Sequence, residues 1–257
     1  MSSTNETVIL DNDWTHIGVL IDRSGSMQTL NPEIISKELT TFIKDQTGGK
    51  VTVTAARFDD KYEVFIENKF ASEVVFTAKD IEPRNMTALY ESLCRMIDDV
   101  GKELTMMTTT RPGKVIIVVL TDGEENASSG IYSGESGRKL LFDKITHQKE
   151  MYNWLFFFMG TNIDALATGK NIGIAPETCI NFDNNPAYCG KALRTASTQV
   201  SAVRGLSQEV MRDRSKLNQY SGFSQQQRAE CSTIYSMNGN INGNMNGNMN
   251  GNNDDSQ

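Results

Sequence analysis

The sequence has few of the residues from which catalytic and structural centres are most often built. Its 257 residues include four cysteines and two histidines. The cysteines are scattered, with no Cys-x-x-Cys pair, so neither a zinc site nor a disulfide framework is indicated and a reducing compartment is the default expectation. The sequence places no nucleophile beside either histidine, which leaves a hydrolase triad unsupported.

Several other patterns are also missing. The net charge is -7, and no run of lysine and arginine suggests a groove for nucleic acid. No Gly-x-x-x-x-Gly-Lys or Gly-x-Gly-x-x-Gly motif is present, which argues against nucleotide binding. The longest apolar runs, at 115–120 and 154–159, are too short to span a bilayer, and residues 1–13 contain no apolar signal region. We therefore expect a monomer that binds neither nucleic acid nor membrane, located in the cytoplasm, or in the host cytoplasm or virion if the source is viral.

The most informative stretch lies near the start of the chain. An apolar run at 17–21 stops at Asp22, and two hydroxyls follow at Ser24 and Ser26, with Gly25 between them. This pattern predicts a buried strand whose carboxyl end passes into a tight loop. One carboxylate and two serine oxygens in a small space suit a hard divalent cation. Alone the pattern is weak, because Asp-x-Ser-x-Ser is expected by chance in roughly one chain in ten of this length.

Apolar runs and helical patterns alternate along most of the chain, which predicts an α/β fold. We expect an open, mostly parallel, doubly wound (Rossmann-like) sheet with helices on both faces and one antiparallel edge hairpin around Asp59-Asp60-Lys61. The most strand-like segment, 114–121, ends in Asp122. Ligands bind beyond the carboxyl ends of the strands in such sheets, so Asp22 and Asp122 should share one rim. Thr87 occupies the predicted N-cap of a helix that should begin on the same rim.

The composition divides the chain into three parts. Residues 1–13 are predicted to be a loose arm, 14–211 a single domain, and 212–257 a polar tail. The tail ends in a four-residue Asn/Gly repeat with Met or Ile at its first position, which cannot bury a core and should be disordered. A solubilising or drifting low-complexity tail is favoured there over a binding role.

Together, Asp22-x-Ser24-x-Ser26, Thr87 and Asp122-Gly123 resemble the von Willebrand factor A domain with its metal-ion-dependent adhesion site (MIDAS). The resemblance covers roughly residues 14–210 and is closest to the bacterial and phage-like branch of that family. It implies that Ser24, Ser26 and Thr87 offer hydroxyl oxygens to a metal, and that Asp22 and Asp122 hold it directly or through water. An oxygen-only site that retains water suits Mg²⁺, with Mn²⁺ as a substitute.

The sequence departs from the family where many members have glycine shortly before the threonine, because this chain has Asn85-Met86 there. Thr87 is therefore the least secure of the five predicted ligands. Glu124, Glu125 and Asn126 follow Asp122, and a solvated acidic loop is favoured over a role in choosing the partner. The Asp59-Asp60 pair is expected to be a hairpin turn and not a second metal site.

The resemblance implies a non-enzymatic module that binds an acidic residue, Glu or Asp, of a protein partner through the bound cation. Two alternatives remain open. One is a metal-dependent phosphoester hydrolase, which would need more carboxylates on the rim than the two placed there. The other is a structural or virion-associated scaffold with an unused site, although all five ligand positions are present.

Overall fold

The computed structural model describes residues 8–233, which contain one six-stranded sheet. The strands are β1 (Ile9–Asp22), β2 (Lys50–Phe58), β3 (Tyr62–Phe70), β4 (Thr110–Thr121), β5 (Leu155–Gly160) and β6 (Cys179–Asn181). The helices are α1 (Pro32–Lys44), α2 (Leu89–Thr105), α3 (Gly134–Tyr152), α4 (Ala165–Asn171), α5 (Pro186–Arg204), α6 (Gln208–Arg212), α7 (Arg214–Ser221) and α8 (Gln225–Cys231). None of the helices within 8–233 is both long and apolar enough to cross a membrane.

The strand order is β3-β2-β1-β4-β5-β6, with β2 and β3 antiparallel and every other pair parallel. The predicted doubly wound sheet with one antiparallel edge hairpin is confirmed. The chain moves outward from β1 to β3 and then returns to the opposite side of β1 with β4. This reversal makes the β1–β4 boundary the switch point of the sheet, where a crevice opens beyond the strand ends.

The two faces of the sheet are covered by different helices, which explains why the central strands are apolar without alternation. Ile17, Val19 and Ile21 of β1 pack in one cluster with residues of α1 and α5. Leu20, between them, packs in a second cluster with residues of α2 and α3. Since successive side chains of a strand point to opposite faces, burial on both sides fixes β1 in register and fixes where its carboxyl end lies.

The first strand begins earlier than the sequence indicates. Ile9–Asp11 pairs with Thr110–Pro112 of β4, and a register shift before Thr15 joins this short ladder to the main one. Most of the segment 8–13, predicted to be part of a loose arm, is therefore strand. Its polar composition concealed the pairing, because it lies at the end of the sheet where Ile9 and Leu10 are exposed. Residues 1–7 of the predicted arm lie outside the described residues.

The described chain also continues in helices beyond residue 211, where the sequence predicted the start of a polar tail. Asp213 caps α7, and Ser224 caps α8 through a capping box with Gln227. Leu217 and Cys231 are fully buried against the α1 and α5 side of the sheet. Few apolar residues are needed to dock such short helices, so a polar, glutamine-rich composition hides them. The Asn/Gly repeat lies outside the described residues.

Candidate metal centre

Asp22 ends β1 at the switch point and is fully buried. Its Oδ1 accepts a hydrogen bond from the Ser24 amide at 2.7 Å, and its Oδ2 accepts one from the Thr121 hydroxyl at 2.6 Å. Burial raises the pKa of Asp22 to about 6, against the opposing effect of these two hydrogen bonds. One carboxylate oxygen is thus held by the loop after β1 and the other by β4, and together these contacts fix the orientation of the side chain.

Ser24 and Ser26 lie in the loop that follows, where a 3₁₀ turn runs from Gly25 to Leu30. Their hydroxyl oxygens are 3.1 Å apart. The Ser26 hydroxyl donates to Asp122 Oδ1 at 2.8 Å, and the Ser24 hydroxyl approaches the same oxygen at 3.4 Å. The loop after β1 and the loop after β4 therefore place three oxygens within hydrogen-bonding distance of one another.

Thr87 completes the group from a third loop, and Gly123 shows where the hydroxyls converge. A methyl group added to Gly123 would lie 3.1 Å from Thr87 Oγ1, 3.6 Å from Ser26 Oγ and 3.9 Å from Ser24 Oγ. The three hydroxyls thus surround a space that is open only because residue 123 has no side chain. The hydroxyl of Thr87, the least secure predicted ligand on sequence grounds, thus faces the same space as those of Ser24 and Ser26.

Asp122 supplies a further observation. It is buried, and burial raises its pKa, although hydrogen bonds from Ser26 and Ser24 act in the opposite direction. Its Oδ2 is buried and has no hydrogen-bond partner among residues 8–233. A buried carboxylate oxygen without a partner is costly, and a bound cation is one of the groups that offset such a cost.

The donor set fits a hard cation. An octahedral ion with bonds of about 2.1 Å has ligand oxygens about 3 Å apart along each edge, the spacing that Mg²⁺ demands. The oxygen–oxygen distances of 2.8, 3.1 and 3.4 Å within the Ser24, Ser26 and Asp122 group are of this size. With two carboxylates and three neutral hydroxyls as donors, such a site would leave one or more positions of the octahedron to water.

The loop that carries Thr87 is held by backbone hydrogen bonds to the loop after β1. The Arg84 amide donates to the Arg23 carbonyl at 2.7 Å, and the Gly25 amide donates to the Asn85 carbonyl at 3.0 Å. Asn85 has a φ of 58°, a left-handed conformation that asparagine tolerates better than most residues. Asparagine therefore suits the backbone conformation of this turn.

A buried ion-pair network connects the same two loops to the hairpin formed by β2 and β3. Asp59, fully buried at the turn between β2 and β3, pairs with Arg23 Nε at 3.2 Å and with Arg84. Arg23 is itself buried and also pairs with Glu63. The predicted hairpin turn is confirmed, because the Lys61 amide donates to Asp59 Oδ1 at 2.8 Å. Asp59 has a second role that the sequence did not reveal, which is to join the hairpin to the rim.

The loop after Asp122 is not the solvated acidic loop that the sequence favoured. Glu125 accepts hydrogen bonds from the backbone amides of Tyr90 at 2.8 Å and Ser128 at 2.7 Å. Asn126 Oδ1 accepts from the Thr87 amide at 2.8 Å. These side chains satisfy free amide groups at the start of α2 and hold Thr87 in place. Glu124 and Asn126 are both exposed, and Glu124 is the one of the three without such a hydrogen bond among the described residues.

The predicted capping role of Thr87 is wrong. The N-cap of α2 is Ala88, whose side chain cannot cap, and the free amides are satisfied by Glu125 and Ser128 from another loop. A cap supplied across 35 residues leaves no local pattern, so sequence reasoning assigned it to the nearest hydroxyl. Since capping does not occupy the Thr87 hydroxyl, it is free to face Gly123.

Thr121 is the functional-site residue that sequence reasoning missed. It was taken as the last residue of β4, but its hydroxyl donates to Asp22 and orients the buried carboxylate. Its position directly before Asp122 was the available clue. No group of three or more His, Cys, Asp or Glu side chains within 8–233, the rim included, is placed to hold a metal, so the candidate site depends on hydroxyl oxygens beside its two carboxylates.

No protein-family model matches the sequence, and no curated protein matches it. Solved structures do match the fold. The PilB minor pilin from Streptococcus sanguinis aligns with a TM-score of 0.51 and 13% identity, over 73% of this chain and 61% of that one. A von Willebrand factor type A structure from Catenulispora acidiphila aligns at 0.50 and 12%, over 79% and 52% of the two chains. The chain has the von Willebrand factor A fold.

A third match is a structure with metal in its own site. Proximal thread matrix protein 1 from the mussel byssus, in a structure with a zinc-occupied MIDAS motif, aligns at a TM-score of 0.50 and 14% identity, over 73% of this chain and 46% of that one. The chain spans between 46% and 61% of the length of these three structures. Identities this low establish the von Willebrand factor A fold and leave ligand and partner to the chemistry of the rim.

Proposed function

We propose that this chain is a non-enzymatic protein-interaction module that binds an acidic side chain of a partner through a divalent cation held by Asp22, Ser24, Ser26, Thr87 and Asp122. The observation that carries the proposal is the convergence of three hydroxyls around Gly123, beside a buried Asp122 oxygen that has no partner among the described residues. The zinc-occupied MIDAS of a structural neighbour supports the proposal for a divalent metal at this rim.

The chemistry of the donors explains why a partner's carboxylate would be attracted. Three of the five donors are neutral hydroxyls, so the charge of the cation would be only partly compensated where the two aspartates act through water, and the metal would stay electrophilic. Mg²⁺ retains water readily and Mn²⁺ accepts the same oxygen ligands. A Glu or Asp that replaces one bound water would complete the octahedron and gain a charge-assisted contact with the metal.

The carboxylates of the rim are already oriented by neighbouring residues of this chain. Asp22 and Asp122 are held in place before any metal arrives, the first by Thr121 and Ser24 and the second by Ser26. Because these contacts are already made, little side-chain entropy remains to be lost on binding. This preformed arrangement favours binding of a metal ion and, through it, of an acidic side chain of a partner.

Calorimetric titration with Mg²⁺ and Mn²⁺ tests the proposal. The wild type should bind one ion, and Asp122→Asn and Ser26→Ala should each weaken binding at least tenfold. Glu124→Gln is the matched control, because it removes a negative charge two residues from Asp122 without removing a proposed ligand. Repeating the titration with acetate or a short acidic peptide should tighten metal binding. A folded wild type that binds neither ion, with or without the carboxylate, would contradict the proposal.

A further inference from the structure

A small cavity lies next to the candidate metal centre, between the loop after β4 and the first turns of α2 and α3. Its volume is about 380 Å³, and its lining includes Tyr90, Glu125, Asn126, Ser128, Glu135 and Arg138. Asn126 connects the cavity with the metal ligands, because its Oδ1 accepts a hydrogen bond from the Thr87 amide at 2.8 Å. Thr87 and Tyr90 are three residues apart, so their Cα atoms are separated by at most about 11 Å. A partner segment bound at the metal therefore reaches this cavity.

The carboxylates that line the cavity are already engaged by groups of this chain. Glu125 Oε2 accepts hydrogen bonds from the Tyr90 amide at 2.8 Å and from the Ser128 hydroxyl at 2.7 Å. Its Oε1 accepts from the Ser128 amide at 2.7 Å and from the preceding amide at 3.0 Å. Both oxygens of Glu135 accept from Arg138. Glu125 therefore has no acceptor position left, and Glu135 is held in a two-point ion pair.

Several donors on the same lining have no partner among residues 8–233. The Tyr90 hydroxyl is one, and it lies close enough to Glu135 and Arg138 for their charges to act on it. Arg138 uses three of its five N–H donors, two on Glu135 and one on the Asn171 carbonyl, which leaves two. Asn126 has a further donor in Nδ2, because Oδ1 is the accepting atom of its amide group. The cavity therefore offers donors, and its complement is a hydrogen-bond acceptor.

The charge of the cavity argues against a charged occupant. The lining has two carboxylates, Glu125 and Glu135, and one guanidinium, Arg138, and the exposed Glu124 is near enough to act on Tyr90. Burial and the charge of Glu125 raise the pKa of Tyr90, so its hydroxyl stays protonated and remains a donor. A carboxylate in the cavity would be repelled by the excess of negative charge. A lysine would find the Glu125 oxygens already occupied, so an uncharged acceptor fits best.

We propose that this cavity binds the amide side chain of an Asn or Gln in the partner, two residues from the Asp or Glu that binds the metal, with Tyr90 and Arg138 donating to its carbonyl oxygen. The inference rests on the proposed function and adds the second residue that the partner must present. Alternate side chains of an extended segment point the same way and are about 7 Å apart. That spacing fits two neighbouring subsites, one at Thr87 and the other at Tyr90.

A series of short peptides tests the proposal. Each peptide has an aspartate at its centre, and the residue two positions away on either side is Gln, Asn, Ala, Glu or Lys. Placing the test residue on both sides makes the result independent of the direction in which the peptide binds. Calorimetric titration of the full chain with Mn²⁺ in the presence of each peptide gives the peptide affinity, because a carboxylate bound to the metal tightens metal binding by linkage. Blank titrations correct for Mn²⁺ that the peptides bind themselves.

The Gln or the Asn peptide should bind about tenfold more tightly than the Ala peptide, since two hydrogen bonds contribute about threefold each. The Glu and Lys peptides should bind no more tightly than the Ala peptide. Tyr90→Phe with Arg138→Ala removes both donors and should abolish the preference for the amide. The matched control is Tyr220→Phe with Arg194→Ala, which changes exposed residues of α7 and α5 on the other face of the sheet and should keep the preference.

The Mn²⁺ affinity of each variant without peptide shows whether its metal centre is intact. If the double variant has lost that affinity, Tyr90→Phe alone replaces it, because this change removes a single hydroxyl that has no partner among the described residues. The preference for the amide should then fall about threefold.

The outcomes separate this proposal from the proposed function. If all five peptides tighten Mn²⁺ binding equally, the proposal for the cavity fails and the metal site stands. A Glu or Lys peptide that binds more tightly than both amide peptides overturns the choice of occupant. A preference for the amide that survives unchanged in the Tyr90 and Arg138 variant overturns the choice of site. If Mn²⁺ does not bind, or no peptide tightens its binding, the proposed function fails first, and this proposal falls with it.

Discussion

The Ser26 hydroxyl lies 2.8 Å from Asp122 Oδ1, although 96 residues separate the two in sequence. The contact arises because β1 and β4 are parallel neighbours at the switch point of the sheet, so the loops that follow them meet on one rim. This contact lies at the heart of the candidate metal centre. Asp22 and Ser24 belong to the end of β1 and the loop that follows it, and Thr87 is hydrogen-bonded through its amide to Asn126 in the loop after β4.

Gly123→Ala should weaken Mg²⁺ and Mn²⁺ binding at least tenfold while the domain stays folded. The added methyl group would enter the space between the three hydroxyls, 3.1 Å from Thr87 Oγ1, and crowd the ligands of a small ion. Calorimetric titration gives the affinity and circular dichroism the fold.

Gly101→Ala is the control for that prediction. A methyl group there, in α2, meets nothing within 4 Å, and alanine is favoured over glycine in a helix by up to about 1 kcal/mol. This variant should be at least as stable as the wild type and bind metal equally well. Equal metal affinity in both glycine variants would show that the space beside Gly123 is not the binding site.

Asp59→Ala should lower the free energy of unfolding by about 3–5 kcal/mol, because it leaves the buried Arg23 guanidinium without one of its two carboxylate partners. Arg84→Ala should cost about 1 kcal/mol, since Arg84 is half exposed and Asp59 keeps its contact with Arg23. Urea denaturation measures both. Arg95→Ala, which removes an exposed pair with Glu91 within α2, should cost about 0.5 kcal/mol or less. An Asp59→Ala cost no larger than that of Arg95→Ala would exclude a stabilising role for the network.

Glu125→Ala should destabilise the domain by about 1–2 kcal/mol, because the start of α2 loses the carboxylate that accepts from the Tyr90 amide. The Thr87 loop is attached to the same region through Asn126, so metal affinity should fall as well. Thermal unfolding with and without Mg²⁺ gives both quantities. Glu124→Ala, on the exposed neighbour, should change neither; a Glu125→Ala variant as stable as Glu124→Ala would refute the capping role.

His16 should make stability depend on pH. It is fully buried, and burial lowers its pKa from 6.5 to about 4. Between these values the unfolded state binds more protons than the folded state, so the His16 contribution to stability falls as pH falls from about 6.5 to 4, by about 3 kcal/mol in all. Glu103 lies 3.9 Å from His16 Nδ1, and Thr52 Oγ1 lies 3.0 Å from the same atom. Neither contact prevents the downward shift that burial produces.

The effect of His16 must be measured as the difference in the free energy of unfolding between the wild type and a His16 variant. Burial raises the pKa of Asp22 and of Glu103. The contributions of these two groups to stability therefore increase as pH falls over part of the same range, and this increase masks the His16 effect in the wild-type curve. Urea denaturation of wild type and His16→Gln in EDTA, from pH 7.5 to 4, cancels those contributions. The stability advantage of the wild type should shrink as pH falls. A constant difference for His16→Gln across this pH range would contradict the prediction.

Much of this protein was determined by its sequence alone. The apolar residues of β1 and β4 do not alternate, so these strands must be covered on both faces, and that requirement leads to a parallel sheet with helices on each side. Asp22 and Asp122 end those strands, and their nearness follows from the direction of the chain. The five predicted ligands could be named for this reason and for their likeness to a known motif.

Tertiary structure alone decided how those residues are held. Thr121 orients Asp22, Asp59 pairs with Arg23 and Arg84, and Glu125 caps α2 from a distant loop. No local pattern announces such contacts, because each joins residues whose spacing in sequence is set by intervening elements and not by helical or strand periodicity. The short helices after residue 213 were missed for a related reason. Their few apolar residues gain stability by packing against α5 and β6, a surface that does not exist until the sheet has folded.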